Sequence, residues 1–189
     1  MNDIIGFMLE HELDVLSDLA QTIPQNGKLV ELGSLFGRTA VHWAMQRSDI
    51  EILCIDDFVD NNWDDLQYPG KANRPLNHVH YNTYDIFLAN TKTYPNISHI
   101  KCRCPEGINY TGGNIDLLFV DLGHWNPVDW GSIEIFIPYL PSGSIICGHD
   151  YMPDLFPDVL ENVSRLEKIF DTKATVHPNT TLWSIRIPQ

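Results

Sequence analysis

Positive charge is scarce in this chain. Its 189 residues carry 12 Lys and Arg against 25 Asp and Glu, a formal charge of −13. Proteins that grip nucleic acid or an anionic membrane surface usually present a basic stripe, so neither is an expected partner. No apolar run approaches the roughly 20 residues of a membrane-spanning helix. Cysteine is equally sparse. Cys54, Cys102, Cys104 and Cys147 sit in or beside apolar runs, without the paired spacing of a disulfide framework or a zinc ribbon, which points to a reducing compartment such as the cytoplasm. Cys102-x-Cys104 has no partner ligands at zinc-site spacing and reads as two buried thiols. The Asn-x-Ser triplets at Asn96 and Asn162 follow no leader segment and read as chance. Neither common phosphate-binding loop is present. A dinucleotide fingerprint needs Gly-x-Gly-x-x-Gly and a P-loop needs Gly-Lys-Ser/Thr, and Gly33-Ser34-Leu35-Phe36-Gly37-Arg38-Thr39 supplies neither.

What is present is a change of period around that loop. Leu29 to Leu32 is a short apolar run holding one acid, Glu31, and reads as a buried parallel strand. Gly33 and Gly37 bracket a tight loop, and from Arg38 onward Val41, Ala44 and Met45 share one helical face. A strand, a glycine loop and a helix N-terminus make half of a nucleotide-binding crevice. Ile52 to Ile55 is a second apolar run ending in Asp56, with Asp57 beside it, 23 positions beyond Gly33. An acid there is placed to accept hydrogen bonds from a ribose diol. Glu31 would repel phosphate and suits a cation. A ligand with a ribose, a positive charge and no phosphate fits, and S-adenosylmethionine is such a ligand.

The remaining runs extend the pattern. Asp3 to Ile23 reads as one amphipathic helix, either cover for the sheet, a pocket closure or a homodimer seam. Residues 57–77, rich in Asp, Asn and Pro with Trp63 and Tyr68, read as a lid insertion. Further strands are expected at Ile97–Arg103, Ile115–Val120, Ile145–Cys147, Ala174–His177 and Leu182–Ile187, with the last two forming a hairpin. Helices are expected around Tyr84–Thr91, after Asn126-Pro127, and from Pro157 to Phe170. The sum is one domain, residues 1–189. It is a Rossmann-like, doubly wound α/β sheet of about seven strands, mostly parallel with an antiparallel C-terminal strand.

Four motifs, in order, carry a resemblance: Val30-Glu31-Leu32-Gly33-Ser34-x-x-Gly37, Ile55-Asp56, Ile115 through Asp121 to His124, and Ser142 through Gly148-His149-Asp150-Tyr151. Together they resemble the class I S-adenosylmethionine-dependent methyltransferases, nearest to the macrocin-type and catechol-type small-molecule O-methyltransferases. The resemblance implies that Glu31, Gly33, Ser34, Gly37, Asp56, Asp57 and Asp121 bind the cofactor, and that Cys104 borders its adenine. In the catechol-type branch, acids after the fourth and fifth strands hold magnesium. By motif those positions are Asp121, His149 and Asp150, and an imidazole at 149 favours manganese, iron or zinc over magnesium. Methyl transfer needs an aligned acceptor and a base, and Asp121 and His124 are the catalytic candidates. The expected partner is a small hydroxylated acceptor. A metal-dependent hydroxylase-like or lyase enzyme on the same fold, and a non-catalytic S-adenosylmethionine-binding protein, remain open alternatives.

Overall fold

A computed structural model describes residues 4–60 and 81–189. Most of the expected lid, including Trp63 and Tyr68, therefore lies outside the described residues. The strands are β1 (Lys28–Leu32), β2 (Glu51–Asp56), β3 (Ile97–Lys101), β4 (Leu117–Val120), β5 (Ile145–Gly148), β6 (Thr175–Val176) and β7 (Trp183–Arg186). They form one sheet in the order β3-β2-β1-β4-β5-β7-β6. The β3-β2-β1-β4-β5 pairs are parallel, while β7 runs antiparallel to both β5 and β6. The strand order reverses direction between β1 and β4, and that switch point is where an α/β sheet opens a crevice at its carboxyl ends.

Among the described residues five α-helices cover the sheet: α1 (Glu10–Gln21), α2 (Arg38–Gln46), α3 (Thr83–Thr91), α4 (Val128–Phe136) and α5 (Pro157–Phe170). Alternate strand residues feed two cores. Leu29, Leu117, Phe119 and Cys147 pack with Leu16, Trp43 and Phe87 of α1, α2 and α3, whereas Val30, Leu118, Ile146 and Trp183 pack with Ile133, Val163 and Leu166 of α4 and α5. A period of two along each central strand thus buries both faces.

The first helix is shorter than its apolar spacing implies. It begins at Glu10, because the Leu9 N–H is taken by Glu12 Oε2 at 3.0 Å, closing one half of a capping box. Ile5 and Met8 fall in an irregular lead-in instead. At its other end the freed carbonyls of Ala20 and Ile23 accept from the Arg47 guanidinium at 2.7 and 3.0 Å. On α2 the inward face is Ala40, Val41, Trp43 and Ala44, and Met45 is exposed, contrary to its apolar character. Helix α4 ends at Phe136 and passes into a 3₁₀ turn, Ile137–Tyr139. Pro127, not Asn126, occupies its N-cap, while Asn126 Oδ1 accepts from the Trp130 N–H at 3.2 Å.

Candidate active site

The loop from β1 to α2 is built by backbone packing. Gly33 has φ +86°, and a Cβ there would lie 1.9 Å from the Asp121 carbonyl oxygen. The neighbour that excludes a side chain at 33 is therefore the end of β4. Gly37, φ +81°, caps α2 in the left-handed region, and a Cβ on it would crowd Phe87 and Thr91 at 3.1 Å. Between them Leu35 also takes a positive φ of 46°.

Asp56 holds this loop in shape. Its Oδ2 accepts from the N–H groups of Ser34 (2.6 Å) and Leu35 (2.9 Å), and its Oδ1 from Phe58 (2.6 Å). Burial raises its pKa against those three bonds. Asp57 is exposed and its Oδ1 accepts from the Val59 N–H at 3.2 Å. Glu31 is 1% exposed and accepts from Ser34 Oγ at 2.6 Å and Cys54 Sγ at 3.3 Å. Burial pushes its pKa up to about 8, and the charges of Asp121 and Asp56 add to the effect. A buried carboxyl whose pKa two neighbouring acids raise marks a site short of a cation. Cys104 is buried, and burial pushes its thiol up to about 12, so it is an apolar wall and not a nucleophile.

Past β4 and β5 a second cluster forms. His124 (φ +65°) and Asp150 (φ +58°) are both non-glycine residues in the left-handed region, a strain that collects at functional sites. His124 Nε2 lies 3.1 Å from Asp150 Oδ2, and the ring packs against Phe156 at a tilt of 55°, centroids 4.7 Å apart. Burial lowers the His124 pKa below its ordinary value, with Asp150 opposing. The imidazole is neutral near pH 7, and a proton held on Nε2 toward Asp150 leaves Nδ1 as the basic nitrogen.

His149 behaves differently. Its Nδ1 is 3.1 Å from the same Asp150 Oδ2 and 3.8 Å from Asp121 Oδ1, and its Nε2 is 3.2 Å from Glu12 Oε1. The last contact is an ion-pair distance without the alignment of a directed hydrogen bond. Burial opposes its charge, yet Asp150, Glu12 and Asp121 outweigh it and hold the pKa well above the ordinary value. Glu12 shows the reciprocal effect. Burial would raise it, but His149 and the N–H groups of Leu9 and Thr181 bring it down to about 2. Burial raises Asp121, with His149 opposing and Asp150 and Glu12 adding, whereas His149 holds Asp150 low in spite of burial.

Among the described residues, Asp121, His124 and Asp150 bring ligand atoms within 4.8 Å of one another. His149, the ligand expected from the sequence, lies against the same Asp121 and Asp150, with both ring nitrogens facing carboxylates. Two residues escaped the sequence reading. Glu12 lies in the row Met8, Glu12, Leu16, Ala20, and Asp129 lies four before Ile133. An acid on an apolar helical stripe was the available signal. Asp129 is 2% exposed, and burial pushes its pKa up to about 7, with the backbone of His124 and Gly123 opposing.

Residues 30–151 match the family model Methyltransf_24, described as a methyltransferase domain. No curated protein matches the chain. Among solved structures, a protein from Staphylococcus aureus assigned as a caffeoyl-CoA O-methyltransferase superposes with a TM-score of 0.70 at 14% identity, covering 98% of this chain and 86% of its own. The O-methyltransferase NovP gives a TM-score of 0.70 at 15% identity, with 94% and 79% covered. TomG from Streptomyces achromogenes, an O-methyltransferase solved in complex with SAM, gives 0.61 at 12% identity, with 97% and 82% covered. At these identities the likeness is one of fold.

Proposed function

Because the chain belongs to the methyltransferase-domain family, we propose that it moves a methyl group from S-adenosylmethionine to a hydroxyl oxygen of a small molecule. The observation that carries the choice of oxygen is the neutral His124 imidazole, 3.1 Å from Asp150 and next to the acid-rich crevice. The cofactor, when bound, supplies an electrophilic methyl group. The chain supplies the rest. The Gly33–Gly37 loop and Glu31, Ser34, Asp56, Asp57, Cys104 and Asp121 are the residues to hold it, and the pressure of Asp56 and Asp121 on Glu31 suits a cationic ligand. His124 Nδ1 takes the acceptor's proton as the oxygen attacks, and Asp150 keeps the ring oriented and offsets its gained charge.

A metal-assisted reading has its own support in the convergence of Asp121, His124 and Asp150. One nitrogen and two carboxylates suit manganese, iron or zinc better than magnesium, and the ion would lower the acceptor hydroxyl's pKa.

The test is release of S-adenosylhomocysteine from S-adenosylmethionine across a panel of phenols, sugar alcohols, thiols and amines. Turnover restricted to hydroxyl compounds, unaffected by a strong chelator, supports the His124 route. Turnover that stops with chelator and returns with manganese supports the metal reading. Methylation of amines or thiols alone overturns the assignment of oxygen as acceptor.

A further inference from the structure

Behind the His124 loop lies a small pocket whose polar walls do not satisfy themselves. Asp129 of α4, Asn162 of α5 and Trp183 of β7 line it together with His124 and His149. Each of the first three is 2% exposed. Of the polar atoms lining it, His149 Nε2 has Glu12 Oε1 at 3.2 Å, which leaves Asp129 Oδ1, Asn162 Oδ1 and Trp183 Nε1 without a partner among the described residues. A buried polar atom left unpaired forfeits its hydration with nothing in return, so three around one pocket call for an occupant.

The three atoms define its chemistry. The indole N–H needs an acceptor, which excludes a metal cation. The two oxygens need donors, which excludes a simple anion. An occupant must do both, and the space open to its centre is about 10 Å³, room for a single water. Water meets the set with one accepted and two donated hydrogen bonds, near the usual count for an internal water. Turning the Asn162 amide, or protonating Asp129, reverses a bond without leaving water unsuited.

We propose that this pocket is a binding site for one ordered water that joins α4, α5 and β7 and steadies the Asp129 carboxylate. The site stands apart from the reading of His124 as a base, since its three unpaired atoms lie on α4, α5 and β7.

The test uses the full chain. A crystal structure fine enough to resolve waters should show one peak at about 2.7–3.2 Å from all three atoms. In NMR the Trp183 indole N–H, identified by its disappearance in Trp183→Phe, should show cross-relaxation with a long-lived water. Trp183→Phe and Asn162→Leu should each lose the density, while amides of β1 and β2 hold their exchange rates, the sign that the fold is kept. An empty pocket, a heavier ion in the density, direct bonds among the three side chains, or an indole with no water contact overturns the site. Density that persists unchanged in both variants overturns the assignment of these two side chains as its ligands.

Discussion

At the scale of single residues, the two histidines at the strand ends have opposite chemistry although both touch Asp150. His149 has carboxylates against both ring nitrogens and stays charged, whereas His124 has one and is buried neutral. His124→Gln should therefore cut turnover by roughly 10²–10⁴, the range for loss of a general base, with S-adenosylmethionine affinity by calorimetry nearly unchanged. Equal loss of affinity and turnover would make His124 a binding residue. Glu31 makes a second prediction. Its folded pKa of about 8 exceeds the ordinary 4.5, so the folded state binds the extra proton between those values and stability falls as pH rises through that window. The melting temperature of the ligand-free protein should drop from pH 6 to pH 8, and Glu31→Gln should flatten that slope. An undiminished slope in the variant would move the effect to Asp129 or Asp121.

At the scale of elements, the glycine loop shows how a motif read for its ligand is first a packing device. A side chain at 33 meets the Asp121 carbonyl and a strained φ, so Gly33→Ala should destabilise by roughly 2–5 kcal/mol, adding left-handed strain to overpacking. Gly143 has a similar φ of +88° but open space around its Cβ position, so Gly143→Ala should cost only about 1–2 kcal/mol, the strain alone. Urea denaturation of the two variants checks the difference. Asp56 belongs to the same element. With three backbone N–H groups on its carboxylate, Asp56→Ala should lower both stability and cofactor affinity. An affinity loss that vanishes for a 2′,3′-dideoxy analogue would add a ribose contact to its structural task, and an equal loss would leave the loop as its sole target.

At the scale of the whole molecule, α1 is tied to the sheet's far strands by one buried acid. Glu12 faces His149 after β5 and accepts from the Thr181 N–H at 3.2 Å before β7. Glu12→Ala leaves a buried imidazolium short of a partner and should cost roughly 3–5 kcal/mol. The pH dependence follows from both partners. Glu12, lowered from 4.5 to about 2, contributes above pH 4.5 and loses its contribution as pH falls toward 2. His149, raised above 6.5, contributes fully below 6.5 and loses it as pH climbs through its folded value. The gap in stability between wild type and variant should be widest between about pH 4.5 and 6.5 and narrow toward pH 2.

The order of strands and helices, the crevice at β1 and β4, and the cofactor class were legible in the sequence. Apolar period, glycine position and strand-end acids are local properties, and Leu29 to Ala44 carries all three. The Pro178-Asn179 turn between the last two runs required one of them to be antiparallel, and the family resemblance made it the last. Tertiary structure alone decided which acids are charged, because pKa depends on what burial and folding bring near. Glu12 and His149 are 137 positions apart in the chain and 3.2 Å apart in space. It also decided that Gly33 answers to a carbonyl from β4, and that His124 comes within reach of Asp121 and Asp150 alongside His149. Side-chain direction past a strand end is set by the left-handed turns at 124 and 150. No periodicity extends into such turns, so their geometry comes only from the packing around them.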